Sequence, residues 1–163
     1  MRTRILCVLA LVALGTVVAS QRGGQAQLSD RADDEVVAPL NRRATDFLRE
    51  VAKDDAEEGL RTLLTGSPLA RDSSRVGLIN DSIRREIPKY GIFLGAELLT
   101  AELIGKALVR ITCLYHCENY PVVWNFVFYR AVEDGEWVVI SLQYNVDYDQ
   151  LPAGAPQRTA GAP

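Results

Sequence analysis

One histidine, a pair of closely spaced cysteines and a few aromatic residues with polar tips are where this chain offers chemistry. His116 as a general base would need a carboxylate within hydrogen-bond reach to orient it. The nearest in sequence is Glu118, and the two read as solvated charge beside a turn. Cys113 and Cys117 lie four residues apart, about 13 Å along a strand, whereas a disulfide wants Cα atoms within about 7 Å. They are expected to be buried thiols packing as small hydrophobes; a bridge would need an irregular strand end or a second molecule. Cys-x3-Cys with only His116 nearby lacks a fourth metal ligand, so neither a metal nor a cofactor is expected. Tyr115, Trp124 and Tyr144 are the ligand-binding candidates, because such rings both pack and hydrogen-bond. The competing role for all three is to fill the core. No Asp or Glu falls on their face of the sheet, so no catalytic residue is assigned. A phosphate loop is also missing: Gly23-Gly24 precedes the domain, and Gly91-x3-Gly95 is followed by neither lysine nor a helix start.

These residues are positioned by the stretch Ala107 to Tyr148, three apolar-rich strands in succession. Side chains alternate across a sheet. Val109, Ile111, Cys113, Tyr115 and Cys117 therefore share a buried face with Val122, Trp124, Phe126 and Phe128. A four-residue loop pairing Cys117 with Val122 keeps both rows on one side. A three-residue loop, Glu133-Asp134-Gly135, pairs Phe128 with Ile140 and Phe126 with Leu142, with Gly135 in the left-handed conformation. Val138, Ile140, Leu142, Tyr144 and Val146 then complete the apolar face. The opposite face is mixed. It carries Arg110, Thr112, His116, Asn125, Tyr129, Ser141, Gln143 and Asn145 beside Leu114, Val123, Val127, Trp137 and Val139. An apolar patch with a polar rim marks interfaces, and Leu114, Val127, Trp137 and Val139 are the interface candidates.

Upstream, Arg2 and Arg4 precede an apolar run from Ile5 to Val18 and then small residues, the pattern of a secretory signal peptide spanning residues 1–26, with cleavage between about 19 and 26. The run of about 14 residues falls short of the roughly 20 that span a bilayer, and no membrane span is expected. The protein is expected to be periplasmic or secreted. Removing that segment takes away Arg2, Arg4 and Arg22 and no acid, so 18 basic and 21 acidic residues become 15 against 21. Such an acidic chain does not suit nucleic acid, which needs a clustered basic surface; Arg42-Arg43 and Arg84-Arg85 have acidic neighbours and read as solvated helix faces.

Residues 27–35 read as a flexible leader, 36–148 as one domain and 149–163, rich in Pro, Gly and Ala, as a disordered tail. The spacing of Leu40, Ala44, Phe47, Leu48 and Val51 predicts a helix over about 38 to 53 with Pro39 in its first turn. Asp54 or Asp55 caps a second helix, with Glu58 completing a capping box after Asp55, and Gly66-Ser67-Pro68 stops it. Asp72, Ser73 or Ser74 caps a third, striped by Val76, Ile79, Ile83 and Ile87 and ended by Pro88. Ile92 to Leu103 supplies a first strand.

Three N-terminal helices on one face of a curved antiparallel sheet of about four strands make an α+β, cone-like fold. This order resembles the nuclear-transport-factor-two-like superfamily, which includes polyketide-cyclase-like and ketosteroid-isomerase-like (SnoaL-like) proteins. The matching parts are Ala44-Thr45-Asp46-Phe47-Leu48, the Tyr90-Gly91 entry, and Val122 to Val146 with Gly135-Glu136-Trp137-Val138-Val139, within about residues 36 to 148. The resemblance implies a pocket between helices and sheet, which in the enzymes holds a carboxylate, often with His or Tyr. It also implies homodimers through the sheet. This chain departs from the enzymatic pattern, since His116 falls on the mixed face. The expected function is a non-enzymatic exported domain that binds a small apolar ligand or self-associates. The alternatives are an isomerase, dehydratase or cyclase using Tyr115 and Tyr144, and a partner-binding module using the outer sheet face.

Overall fold

The computed structural model describes residues 22–148, with side chains from residue 35 onward. Helix α1 spans Arg22–Ala52, α2 Ala56–Leu63 and α3 Ser73–Glu86, followed by strands β1 (Phe93–Ile104), β2 (Leu108–Cys117), β3 (Val122–Tyr129) and β4 (Val138–Asn145). Single 3-10 turns, Pro68–Arg71 and Ile87–Tyr90, flank α3. The strands form one antiparallel sheet in the order β1-β2-β3-β4, and the helices pack on one side of this curved, unclosed sheet in an α+β fold.

Local rules account for most of these boundaries. Asp55 caps α2 by accepting from the Glu58 amide at 3.3 Å, and Asp72 caps α3 by accepting from the Arg75 amide at 3.0 Å. Gly66 ends the second helical segment at φ +74, a left-handed value that costs glycine little. Helix α1 starts earlier than the apolar spacing indicates. Residues 27–35, expected as a flexible leader, lie inside it, and Pro39 occupies its interior, not its first turn. Helix formers such as Leu, Arg, Ala and Glu extend the packed helix backward, although Pro39 lacks the amide that would bond the Glu35 carbonyl. Apart from 22–26, the expected signal segment lies outside the described residues, as does the tail 149–163. Among the described residues, no helix is long and apolar enough to cross a membrane.

Strand pairing departs from expectation at both turns. Val122 pairs with Tyr115 where Cys117 is expected, a shift of two residues that keeps every side chain on its face. Cys117 pairs instead with Phe93 of β1, where Asn119 and Glu118 donate their amides to Tyr90 and Ile92 carbonyls. At the next hairpin Phe126 pairs with Leu142 as expected, but an irregularity after Val127 puts Phe128 opposite Val139. A bulge of this kind inserts one residue and turns the side chains beyond it to the other face. Val139 is therefore fully buried and Ile140 is 37 % exposed, the reverse of the expected alternation. The connection is also longer than three residues, and Gly135 is not left-handed. Its requirement is close approach: a Cβ there would lie 2.8 Å from Val132 Cγ2.

Arg43 ties the layers together. Its guanidinium donates to the Trp137 carbonyl at 2.6 Å and the Leu63 carbonyl at 3.0 Å, and lies 5.5 Å from the Phe128 ring centroid. It is half-buried, not the solvated surface residue that its neighbours in sequence suggest; burial lowers its pKa, with Glu136 opposing that shift. Ser67, buried, makes the matching link by donating to the Val139 carbonyl.

Candidate functional site

Two surfaces compete for the role of binding site: the inside of the cone, where sequence places Tyr115, Trp124 and Tyr144, and the outer side of the sheet.

The inside is filled. Trp124 is 0 % exposed and sits between Tyr115 and Tyr144, with ring centroids 6.4 and 4.8 Å away. Phe47 of α1 meets Trp124 and Phe126 edge-on at 5.4 and 5.9 Å, a preferred aromatic geometry. Leu48, Leu60, Leu63 and Ile83 close the helical side. The two tyrosines do not share a pocket. Tyr115 lines a cleft of ≈ 330 Å³ with Ile83 and Phe93, while Tyr144 lines an open groove with Leu78 and bonds Ser82 Oγ through its hydroxyl at 2.6 Å. Burial, with a smaller contribution from Cys117, pushes the Tyr115 phenol upward, away from any general-base role near neutral pH. Trp124 Nε1 is buried without an acceptor. Among the described residues, the buried polar side chains are Ser67 and Thr112, and neither is a carboxylic acid.

Cys113 and Cys117 are free, buried thiols on the same face. Burial pushes the Cys113 thiol up to about 12 and raises Cys117 as well, so neither has the character of an activated nucleophile. Among the described residues, no group of three or more His, Cys, Asp or Glu side chains is placed to hold a metal ion. His116 lies on the outer face as expected, but its partner is Glu97 of β1, Oε1 at 3.4 Å from Nε2, and not Glu118.

The outer side of the sheet carries a concavity of ≈ 510 Å³. Its floor is a polar row that crosses every strand: Thr100 pairs with Thr112, Thr112 with Asn125, and Asn125 with Gln143. Equivalent positions on neighbouring strands lie about 4.8 Å apart. Thr112 Oγ1 donates to Asn125 Oδ1 at 2.9 Å, which leaves the Asn125 amide N–H groups outside that bond. The Thr112 residue is only 3 % exposed, and the Thr100 hydroxyl oxygen is buried with no partner. On one side of this row Arg110 pairs with Glu102 at 3.5 Å; on the other stand Asn145 and Asp147. Asn145 accepts from the Asp147 amide at 3.2 Å, and the next residue, Tyr148, donates its hydroxyl to the Pro121 carbonyl at 2.7 Å, holding that rim against the β2–β3 turn.

Of the four interface candidates, Leu114 and Val127 are half-buried on this outer face. Val139 is not there, because the bulge turns it into the core opposite Phe128. Trp137 precedes β4, packs partly against the core and lies under Arg130, whose guanidinium is 4.7 Å from the ring centroid. The polar row was not singled out from sequence. Part of its signal was present in the sequence, as Thr112, Asn125 and Gln143 all fall on the mixed face and Asn125 pairs with Gln143 in the expected register, but the two-residue shift is what brings Thr112 opposite Asn125.

No protein-family model, curated protein or solved structure matches the chain.

Proposed function

We propose that this chain is an exported, non-enzymatic binding domain whose working surface is the outer face of its sheet, not the inside of the cone. The observation that carries this reading is the contrast between a cone plugged by Trp124 and an outer concavity lined by neutral hydroxyl and amide side chains, Asn125 half-buried and Gln143 exposed among them. A ligand that pairs such groups replaces their bonds to water with direct ones. Export rests on the Arg2/Arg4 and Ile5–Val18 pattern. The likeness to the nuclear-transport-factor-two-like superfamily rests on element order and sheet curvature.

Self-association through the same face is a second reading, favoured by half-buried Leu114 and Val127 beside the concavity. A small apolar molecule inside the cone has less support, since it would have to displace the stacked rings.

Native mass spectrometry of the protein exported by its own host tests the reading, with Asn125→Trp filling the concavity and Tyr144→Phe altering the inner face. A co-purifying molecule, or a dimer, that is lost in Asn125→Trp and kept in Tyr144→Phe supports it. Loss only in Tyr144→Phe, or an empty monomer throughout, overturns it.

A further inference from the structure

Resting on the outer-face reading, we propose that the concavity over Thr100, Thr112, Asn125 and Gln143 binds a neutral polyhydroxylated ligand, a short oligosaccharide laid across the strands. Within the row, Asn125 and Gln143 are the members whose side chains reach the concavity, on adjacent strands about 4.8 Å apart, and a chain of sugar rings presents hydroxyls at a comparable repeat. Both senses of bond are available. Asn125, its carbonyl committed to Thr112, offers its amide N–H groups, and the exposed Gln143 offers a donor and an acceptor. Val123 and Val127 border the row and suit the C–H face of a sugar ring.

The charges discriminate against other ligand classes. Arg110, the basic residue of the concavity, is paired with Glu102 at 3.5 Å, so a phosphate or carboxylate has to compete with that carboxylate for it. An apolar ligand would cover Asn125 and Gln143 without satisfying them. An extended peptide presents its donors and acceptors in the plane of a strand, which matches a sheet edge better than a sheet face.

The test is a titration of the full chain, after export and signal removal, with maltotriose, cellotriose and triacetylchitotriose. The readout is the side-chain amide proton–nitrogen signals of Asn125 and Gln143, and trialanine and inorganic phosphate represent the other classes. At least one trisaccharide is expected to shift both signals at concentrations up to about 10 mM, and Gln143→Ala, at a partly exposed position, to weaken binding about tenfold. Asn125→Ala is expected to do the same or more, with its fold checked by circular dichroism. The ligand class is overturned if no trisaccharide moves these signals. If trialanine, phosphate or dimerisation on concentration moves them instead, the outer face still stands as the working surface. If the Tyr115 and Tyr144 ring signals alone respond, both readings fall.

Discussion

The two faces of the sheet are built from the same four strands with opposite economies of polarity. Inward, Trp124, Phe126, Phe128, Ile111 and Val109 are buried together, and the one conspicuous defect is an indole N–H without an acceptor. Outward, a hydroxyl and amide row runs across the same rungs and is only partly self-satisfied. A close-packed interior resists any loss of volume, whereas an open polar surface tolerates truncation but responds to a partner. The inner face therefore serves stability, and in the function proposed above the outer face serves recognition.

The largest expected effect sharpens that division. Trp124→Ala should lower unfolding free energy by about 3–5 kcal/mol, the range for deleting a large buried ring, measured by denaturant unfolding. A loss below about 1 kcal/mol would mean the cone tolerates a void and would reopen it as a pocket. Alkali tests the same packing. Cys113 is raised from 9.0 to about 12, so its contribution is fully present below pH 9 and is lost as pH rises toward 12. By linkage, stability should fall by up to about 4 kcal/mol over that window, and Cys113→Ala should flatten the slope of melting temperature against pH.

Arg43→Ala is expected to cost about 2 kcal/mol, because the carbonyls of Trp137 and Leu63 lose their donor. Arg43→Lys should recover only part, since one ammonium does not reproduce the planar fork. The smallest effects belong outside. Asn125→Ala should cost about 1 kcal/mol by leaving the Thr112 hydroxyl unpaired, and Gln143→Ala should stay within about 0.5 kcal/mol. An outer-face variant as damaging as Trp124→Ala in the unfolding assay would erase the division of labour.

How far sequence reaches depends on whether the deciding interaction is local. The stripe on α3 and the inward row Val109–Cys117 follow from spacing alone, and spacing narrows the caps to Asp54 or Asp55 and to Asp72, Ser73 or Ser74, of which Asp55 and Asp72 take the role. Pairing of Phe126 with Leu142 follows from alternation, since a one-residue error would bury polar side chains. The bulge after Val127 does not follow. It is accompanied by bonds from Ser67 and Arg43, distant in sequence, to the backbone at Val139 and Trp137, contacts that spacing within the strands does not encode, and it moves Val139 out of the expected interface. The backward extension of α1 escaped because polar residues there carry helix propensity without an apolar stripe. Tyr115, Trp124 and Tyr144 lie on the face that alternation assigns them; that Trp124 packs edge-on and tilted against the two tyrosines is a matter of ring packing in three dimensions. The Thr100–Gln143 row combines four strands, and alternation within any one of them reveals a single member.

Burial of Cys113 also gives the molecule an internal clock. At neutral pH burial holds this thiol in its un-ionised form, and the side chain, 1 % exposed, lies beside Trp124 of the neighbouring strand, away from reagents. Alkylation or oxidation of that sulfur must then wait for the sheet to open. The rate at which a thiol reagent modifies Cys113 becomes a count of opening events in the undisturbed native state, and in an oxidising compartment it sets how long the reduced protein persists.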